Sequence, residues 1–126
     1  MKTLKVILVL MLFSPVFAFA QSKNTAKIEA YYFHNATRCT TCKTVEAEAK
    51  ADLKELYGDK ITFQALNLEE KSTDAIAKKL NVSGQTLLVV KGDKQVNLTN
   101  EGFLYAVTNP EKFKNIIKEK VDPLLK

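Results

Sequence analysis

The apolar positions of this chain change period several times, and each change marks an element. Residues 28–33 form a short apolar and aromatic run, the signature of a strand. From Cys42 the apolar positions step three, four, four and three through Val45, Ala49, Leu53 and Leu56, which is one face of an α-helix. Glu46, Glu48, Lys50, Lys54 and Glu55 fill the other faces, and Gly58 follows where helices commonly end. In 61–66, Ile61, Phe63 and Ala65 alternate with their neighbours and predict a second strand. Thr73 is placed to cap a short helix holding Ile76, Ala77 and Leu80. Residues 86–90 are apolar on both faces, as in a central strand covered on each side. Lys91-Gly92-Asp93-Lys94 reads as a turn and 95–98 as a returning strand. Residues 100–107 fit neither period, and a strand extension and a docking loop are both open there. Asn109-Pro110-Glu111 opens the last helix, with proline at its first position and an acid in its first turn. Phe113, Ile116, Ile117 and Val121 give that helix an inner face.

The order is strand, helix, strand, helix, strand, strand, helix. It predicts an α/β domain with a central mixed sheet of about four strands flanked by helices. The first three strands fit right-handed parallel crossovers and the last two a hairpin.

The beginning of the chain follows a different logic. Lys2 and Lys5 precede an almost wholly apolar stretch, and Ala18-Phe19-Ala20 follows as a small-residue cleavage signature. Residues 1–20 therefore read as a secretory signal peptide cut before Gln21. The apolar stretch is broken by Ser14-Pro15 and falls short of the roughly 20 residues a membrane span needs. Residues 21–27 are polar and read as a flexible leader, leaving 28–126 as one domain. Cleavage removes two lysines and lowers the formal net charge from +5 to +3. The remaining lysines are interspersed with acids, without a basic block carrying aromatics, so nucleic-acid binding is not expected. Asn35, Asn81 and Asn97 head glycosylation tripeptides, but such short matches arise by chance and the signal peptide looks bacterial. The expected destination is a periplasm.

Every chemically special side chain lies in one window of nine residues. Both cysteines (Cys39, Cys42), the only histidine (His34) and the only arginine (Arg38) are there. Two thiols in Cys-x-x-Cys spacing form a unit that exchanges electrons as dithiol and disulfide. After export to an oxidising compartment such a pair can persist as a disulfide. The helix stripe starts at Cys42, which places Cys42 on the buried face and leaves Cys39 ahead of the first turn, facing solvent. Unpaired N–H groups and the helix dipole favour a thiolate at Cys39. Arg38 and Lys43 add positive charge nearby. Cys39 is thus the expected nucleophile and Cys42 the resolving thiol. His34 reads either as a proton relay to Cys42 or as an exposed loop histidine.

Other readings of the pair are blander. An inert staple closing so small a loop gains little chain entropy. A structural zinc site wants four ligands, and the chain offers two cysteines and one histidine. A binding module for a soft metal, a metalloid or a dimer-bridged cluster would use Cys39 and Cys42. An adaptor with vestigial cysteines would not need them at all.

The first strand, Cys39-Thr40-Thr41-Cys42-Lys43 at a helix start, and the order of later elements resemble the thioredoxin fold over about 28–124. Ile76-Ala77-Lys78-Lys79-Leu80-Asn81-Val82 resembles the helix and exit before the substrate-facing loop, and Thr86-Leu87-Leu88-Val89-Val90 the strand after it. More narrowly, Tyr31-Tyr32-Phe33-His34, Arg38 with the cysteine pair, and Glu46-Ala47-Glu48-Ala49 resemble small exported bacterial proteins of the ArsF family. The chain departs from the thioredoxin pattern in several places. Arg38 replaces the usual tryptophan, and Thr40-Thr41 replaces Gly-Pro. Ser83-Gly84-Gln85 stands where a cis-proline is usual, and a non-proline cis bond would cost about 2.5–4 kcal/mol, so a trans peptide is expected. Tyr32 and Phe33 occupy the part of the strand where thioredoxins hold a buried aspartate, so no acid stands there. The resemblance implies that Gly84, Gln85 and Thr86 form a partner-docking loop facing the cysteines.

These readings converge on an exported thiol-disulfide oxidoreductase. Its dithiol carries the electrons, so no organic cofactor is expected. The expected partner is a protein disulfide or a membrane-bound electron donor, with no membrane embedding after cleavage.

Overall fold

The computed structural model describes residues 26–126. The expected signal peptide and most of the leader lie outside these residues. Four strands form one sheet in the order β2-β1-β3-β4. The central strand β1 (Ile28–His34) pairs in parallel with β2 (Ile61–Asn67), from Ile28 beside Ile61 to His34 beside Asn67. On its other side β1 pairs antiparallel with β3 (Thr86–Lys91), which brings Phe33 opposite Thr86. β4 (Lys94–Asn97) returns antiparallel along β3 through the turn at Gly92, whose φ of 58° suits glycine.

The sheet is mixed as expected, but only β1 and β2 form a parallel crossover. The apolar run of 86–90 encodes burial on both faces and carries no direction. Direction is decided by the residues after helix α2 (Lys71–Lys79), which return the chain to the cysteine end before β3 starts.

The alternation along β1 divides the core. Ala30 and Tyr32 face helices α1 (Thr40–Tyr57) and α4 (Pro110–Val121), where Val45, Ala49, Leu53, Phe113, Ile117 and Val121 are buried with Leu87 and Val89 of β3. Tyr31 and Phe33 face α2, where Ala77 and Leu80 cover them with Leu88 and Val90. Residues 87–90 are buried throughout, as a doubly covered strand requires.

Two further expectations change. Thr73 does not cap α2. The helix begins two residues earlier, its N-cap Glu70 makes no side-chain cap bond, and Thr73 is buried within the first turn. Asn67 organises the approach instead, its side-chain oxygen accepting from the Glu69 N–H at 3.0 Å. Residues 100–107 are neither a strand extension nor an open loop. Helix α3 (Thr99–Tyr105) occupies most of the segment and packs against α1. A Cβ on Gly102 would lie 2.9 Å from Val45 Cγ1 and 3.4 Å from the Phe113 ring, so glycine is what lets α3 seat there. α4 starts as expected, with the Asn109 side chain accepting from the Lys112 N–H at 3.1 Å and Pro110 following the cap. Among the described residues no helix is long and apolar enough to cross a membrane.

Candidate active site

β1 ends at His34, and residues 35–39 carry the chain to the start of α1. Cys39 is the N-cap of that helix, with extended backbone (φ −77°, ψ 164°). Its Sγ accepts from the Cys42 N–H at 3.1 Å, and its carbonyl accepts from the Lys43 N–H at 3.2 Å. A sulfur thus stands where serine or aspartate usually satisfies a helix's first N–H groups. No acidic side chain sits in the first turn to compete for that positive end.

The two cysteines are joined by a disulfide, with Cα atoms 5.1 Å apart. Cys39 is exposed and Cys42 is 4% exposed. The asymmetry expected from the helix stripe is therefore present. Cys42 continues the buried row of Val45 and Ala49, while Cys39 precedes it.

Gln85 reaches the buried sulfur from the opposite side. Its Oε1 lies 3.3 Å from Cys42 Sγ. A disulfide sulfur has no proton to donate, so this is a packing contact in the oxidised state. On reduction the Cys42 thiol acquires a proton and can donate it to the same oxygen. The expected loop thus faces the pair. Thr86 Oγ1 donates to the Gly84 carbonyl at 2.8 Å and closes the loop on itself. The peptides here are trans, since the described residues contain no cis bond.

His34 is not an exposed loop residue. It is the last residue of β1 and is 6% exposed. Arg38 covers it: Nε lies 3.1 Å from Nδ1 and Nη2 lies 2.6 Å from Nε2. A neutral imidazole has one acceptor nitrogen, and with Nε2 accepting from Nη2 the ring proton sits on Nδ1. Nδ1 can then donate to the Asn35 carbonyl at 2.9 Å.

Arg38 is also committed elsewhere. Its Nη1 forms an ion pair with Glu46, and both side chains are about one-fifth exposed. Tyr32, fully buried on β1, donates its hydroxyl to the Cys42 carbonyl at 3.0 Å. Burial raises the Tyr32 pKa, Glu46 raises it further and Arg38 opposes, so the phenol stays a donor. Glu69 accepts from the Ala36 N–H at 3.1 Å and ties the loop before the cysteines to the segment after β2.

Of the residues expected at the site, the fold brings together Cys39, Cys42, His34, Arg38 and Gln85, with Gly84 and Thr86 shaping the loop. Lys43 stands apart: it is exposed and makes no ion pair among the described residues. Sequence reasoning passed over Tyr32 and Glu46. Glu46 carried a usable signal, because it lies four residues beyond Cys42 and so shares its helix face. Tyr32 carried none, since its ten-residue separation from Cys42 has meaning only in the folded chain.

Among the described residues the sulfurs of Cys39 and Cys42 are the ones that offer themselves to a soft metal. Among the described residues no three His, Cys, Asp or Glu side chains gather closely enough to hold one. Open cavities of about 530, 290 and 250 Å³ are lined by other parts of the chain, without either cysteine.

No protein-family model matches this sequence, and no curated protein matches it. Solved structures do match. Thioredoxin O2 from Arabidopsis thaliana, in its oxidised state, is 19% identical with a TM-score of 0.50, covering 75% of this chain and 75% of its own. Thioredoxin f2 from Chlamydomonas reinhardtii is 15% identical with a TM-score of 0.47, covering 77% of this chain and 82% of its own. A malarial protein is 21% identical with a TM-score of 0.43, covering 55% and 74%. At this identity the likeness to thioredoxin O2 is one of fold, and the fold is thioredoxin-like.

Proposed function

We propose that this thioredoxin-like chain is an exported thiol-disulfide oxidoreductase acting on protein disulfides. One observation carries the reading: an exposed Cys39 at a helix N-cap is bonded to a buried Cys42. In the reducing direction the Cys39 thiolate attacks one sulfur of a partner disulfide. The partner's other sulfur leaves as a thiolate, and a mixed disulfide joins Cys39 to the partner. Cys42 loses its proton and attacks Cys39, forming the intramolecular disulfide and releasing the second partner thiolate. Two electrons pass to the partner, and the reverse sequence oxidises it.

Each residue's part follows from its place. The α1 N-terminus stabilises the Cys39 thiolate through the N–H that Cys39 Sγ already accepts. Burial keeps Cys42 from reacting with solutes while leaving it in reach of Cys39. Gly84, Gln85 and Thr86 present the docking backbone beside the pair. Lys43 contributes only a solvent-screened charge. Export to a periplasm rests on residues 1–20, and the partner is a protein disulfide or a membrane-bound donor.

Two experiments test the assignment. In the reduced protein near neutral pH, iodoacetamide should alkylate Cys39 well before Cys42, and the opposite order would reverse their roles. A Cys42→Ser variant incubated with a small disulfide-bonded protein should accumulate a mixed disulfide through Cys39. If no adduct forms, or if Cys39→Ser forms it equally well, the proposed mechanism is wrong.

A further inference from the structure

We infer that Glu46 sets the reduction potential of the Cys39–Cys42 pair by neutralising Arg38. The inference rests on the oxidoreductase reading and adds the residue that tunes the couple.

Glu46 lies four residues beyond Cys42 in α1, so both project from one helix face. Helical side chains lean toward the helix N-terminus, which carries the Glu46 carboxylate toward the cysteines. There it pairs with Arg38, the residue directly before Cys39. A second placement comes from β1. The Tyr32 hydroxyl bonds to the Cys42 carbonyl at 3.0 Å, and that same hydroxyl senses both the Glu46 and the Arg38 charge. The ion pair therefore links the residue before Cys39 to the α1 turn after Cys42, whose carbonyl the Tyr32 hydroxyl holds. Both partners are about one-fifth exposed, so solvent screens them less than a surface pair. The other nearby groups differ. Lys43 is exposed, Glu69 is held by the Ala36 N–H, and His34 is hydrogen-bonded to the guanidinium.

The chemistry makes such a pair consequential. At neutral pH the disulfide takes up two electrons and one proton, giving a Cys39 thiolate and a Cys42 thiol. Negative charge appears only in the reduced state. A cation beside the pair favours reduction, and an anion favours the disulfide. Arg38 alone would raise the potential. In the fold it is half of a neutral pair, so the stabilisation expected from its position next to Cys39 is largely cancelled. Glu46 is thus a positioning residue that acts through Arg38 and through its own field.

The test is a double-mutant cycle on the equilibrium of the purified protein with glutathione and dithiothreitol buffers at pH 7, read by thiol trapping and mass. Glu46→Gln should raise the equilibrium constant for reduction about tenfold, which is about 30 mV for a two-electron couple. Arg38→Gln should lower it by a similar factor, because Glu46 is then uncompensated. The double variant, and Glu46→Asp, which keeps the charge, should each lie within about threefold of the parent. General loosening of the site would move both single variants the same way and the double variant furthest. A Glu46→Gln constant that is unchanged or lower, or a double variant displaced by more than either single one, overturns the inference while the parent couple stands. A parent protein with no reversible couple overturns the oxidoreductase reading and this inference together.

Discussion

Asp52 is a carboxylate in the wrong solvent. It sits on α1 between Ala49 and Leu56, is 6% exposed, and its Oδ2 has no hydrogen-bond partner. Burial pushes its pKa from 3.8 up to about 6; Glu48, Glu55 and Glu111 push the same way, and Lys114 opposes them. The sign follows from linkage. The folded state holds the proton up to about pH 6, whereas the unfolded chain releases it near 3.8. Asp52 is therefore best tolerated below pH 3.8, and stability is lost as the pH rises through about 6. At about 1.4 kcal/mol per pK, the rise from 3.8 to about 6 corresponds to about 3 kcal/mol as a ceiling. Residual solvation of the carboxylate leaves about half of that. Asp52→Asn keeps the shape and removes the titration. Urea unfolding of the oxidised parent and variant between pH 4 and 7.5 should show the variant gaining by about 1–2 kcal/mol at the upper end. The difference should close toward pH 4. A variant less stable than the parent at pH 7.5, or a difference that does not change with pH, would refute the argument that a desolvated charge is the cause.

Two other substitutions probe the packing around the site. Gly102→Ala forces a methyl against buried Val45 and Phe113, so it should cost about 1–3 kcal/mol in urea unfolding, and a loss under about 0.5 kcal/mol would mean that α3 is not seated on α1 as described. Tyr32→Phe removes the bond to the Cys42 carbonyl and should cost about 1 kcal/mol; unchanged stability in the disulfide form would show that the bond is not made in solution.

How far the sequence spoke depended on whether a feature was local. The α1 stripe and its cysteines were legible because helix period, N-terminus and Cys-x-x-Cys spacing all fall within one segment. The asymmetry between Cys39 and Cys42 followed from the same stripe. The Asn109-Pro110 cap was equally local. Strand direction was not, since β3 looks the same to a burial pattern whichever way it runs. α3 was hidden by its brevity and by Gly102, a poor helix former whose value lies in contact with α1. His34 misled for a related reason. A lone histidine beyond an apolar run looks solvent-exposed until Arg38 is folded over it. Glu46 was counted among the solvent-facing residues of α1, although its four-residue spacing from Cys42 already pointed to the site, where it pairs with Arg38.

The central claim is that the Cys39–Cys42 disulfide is redox-active, and its reduction potential tests that claim most directly. Thiol trapping across glutathione and dithiothreitol buffers should reveal a reversible two-electron couple between about −120 and −270 mV. A potential below about −300 mV would make the bond a structural staple and contradict the account, as would a protein that forms no disulfide and retains metal instead.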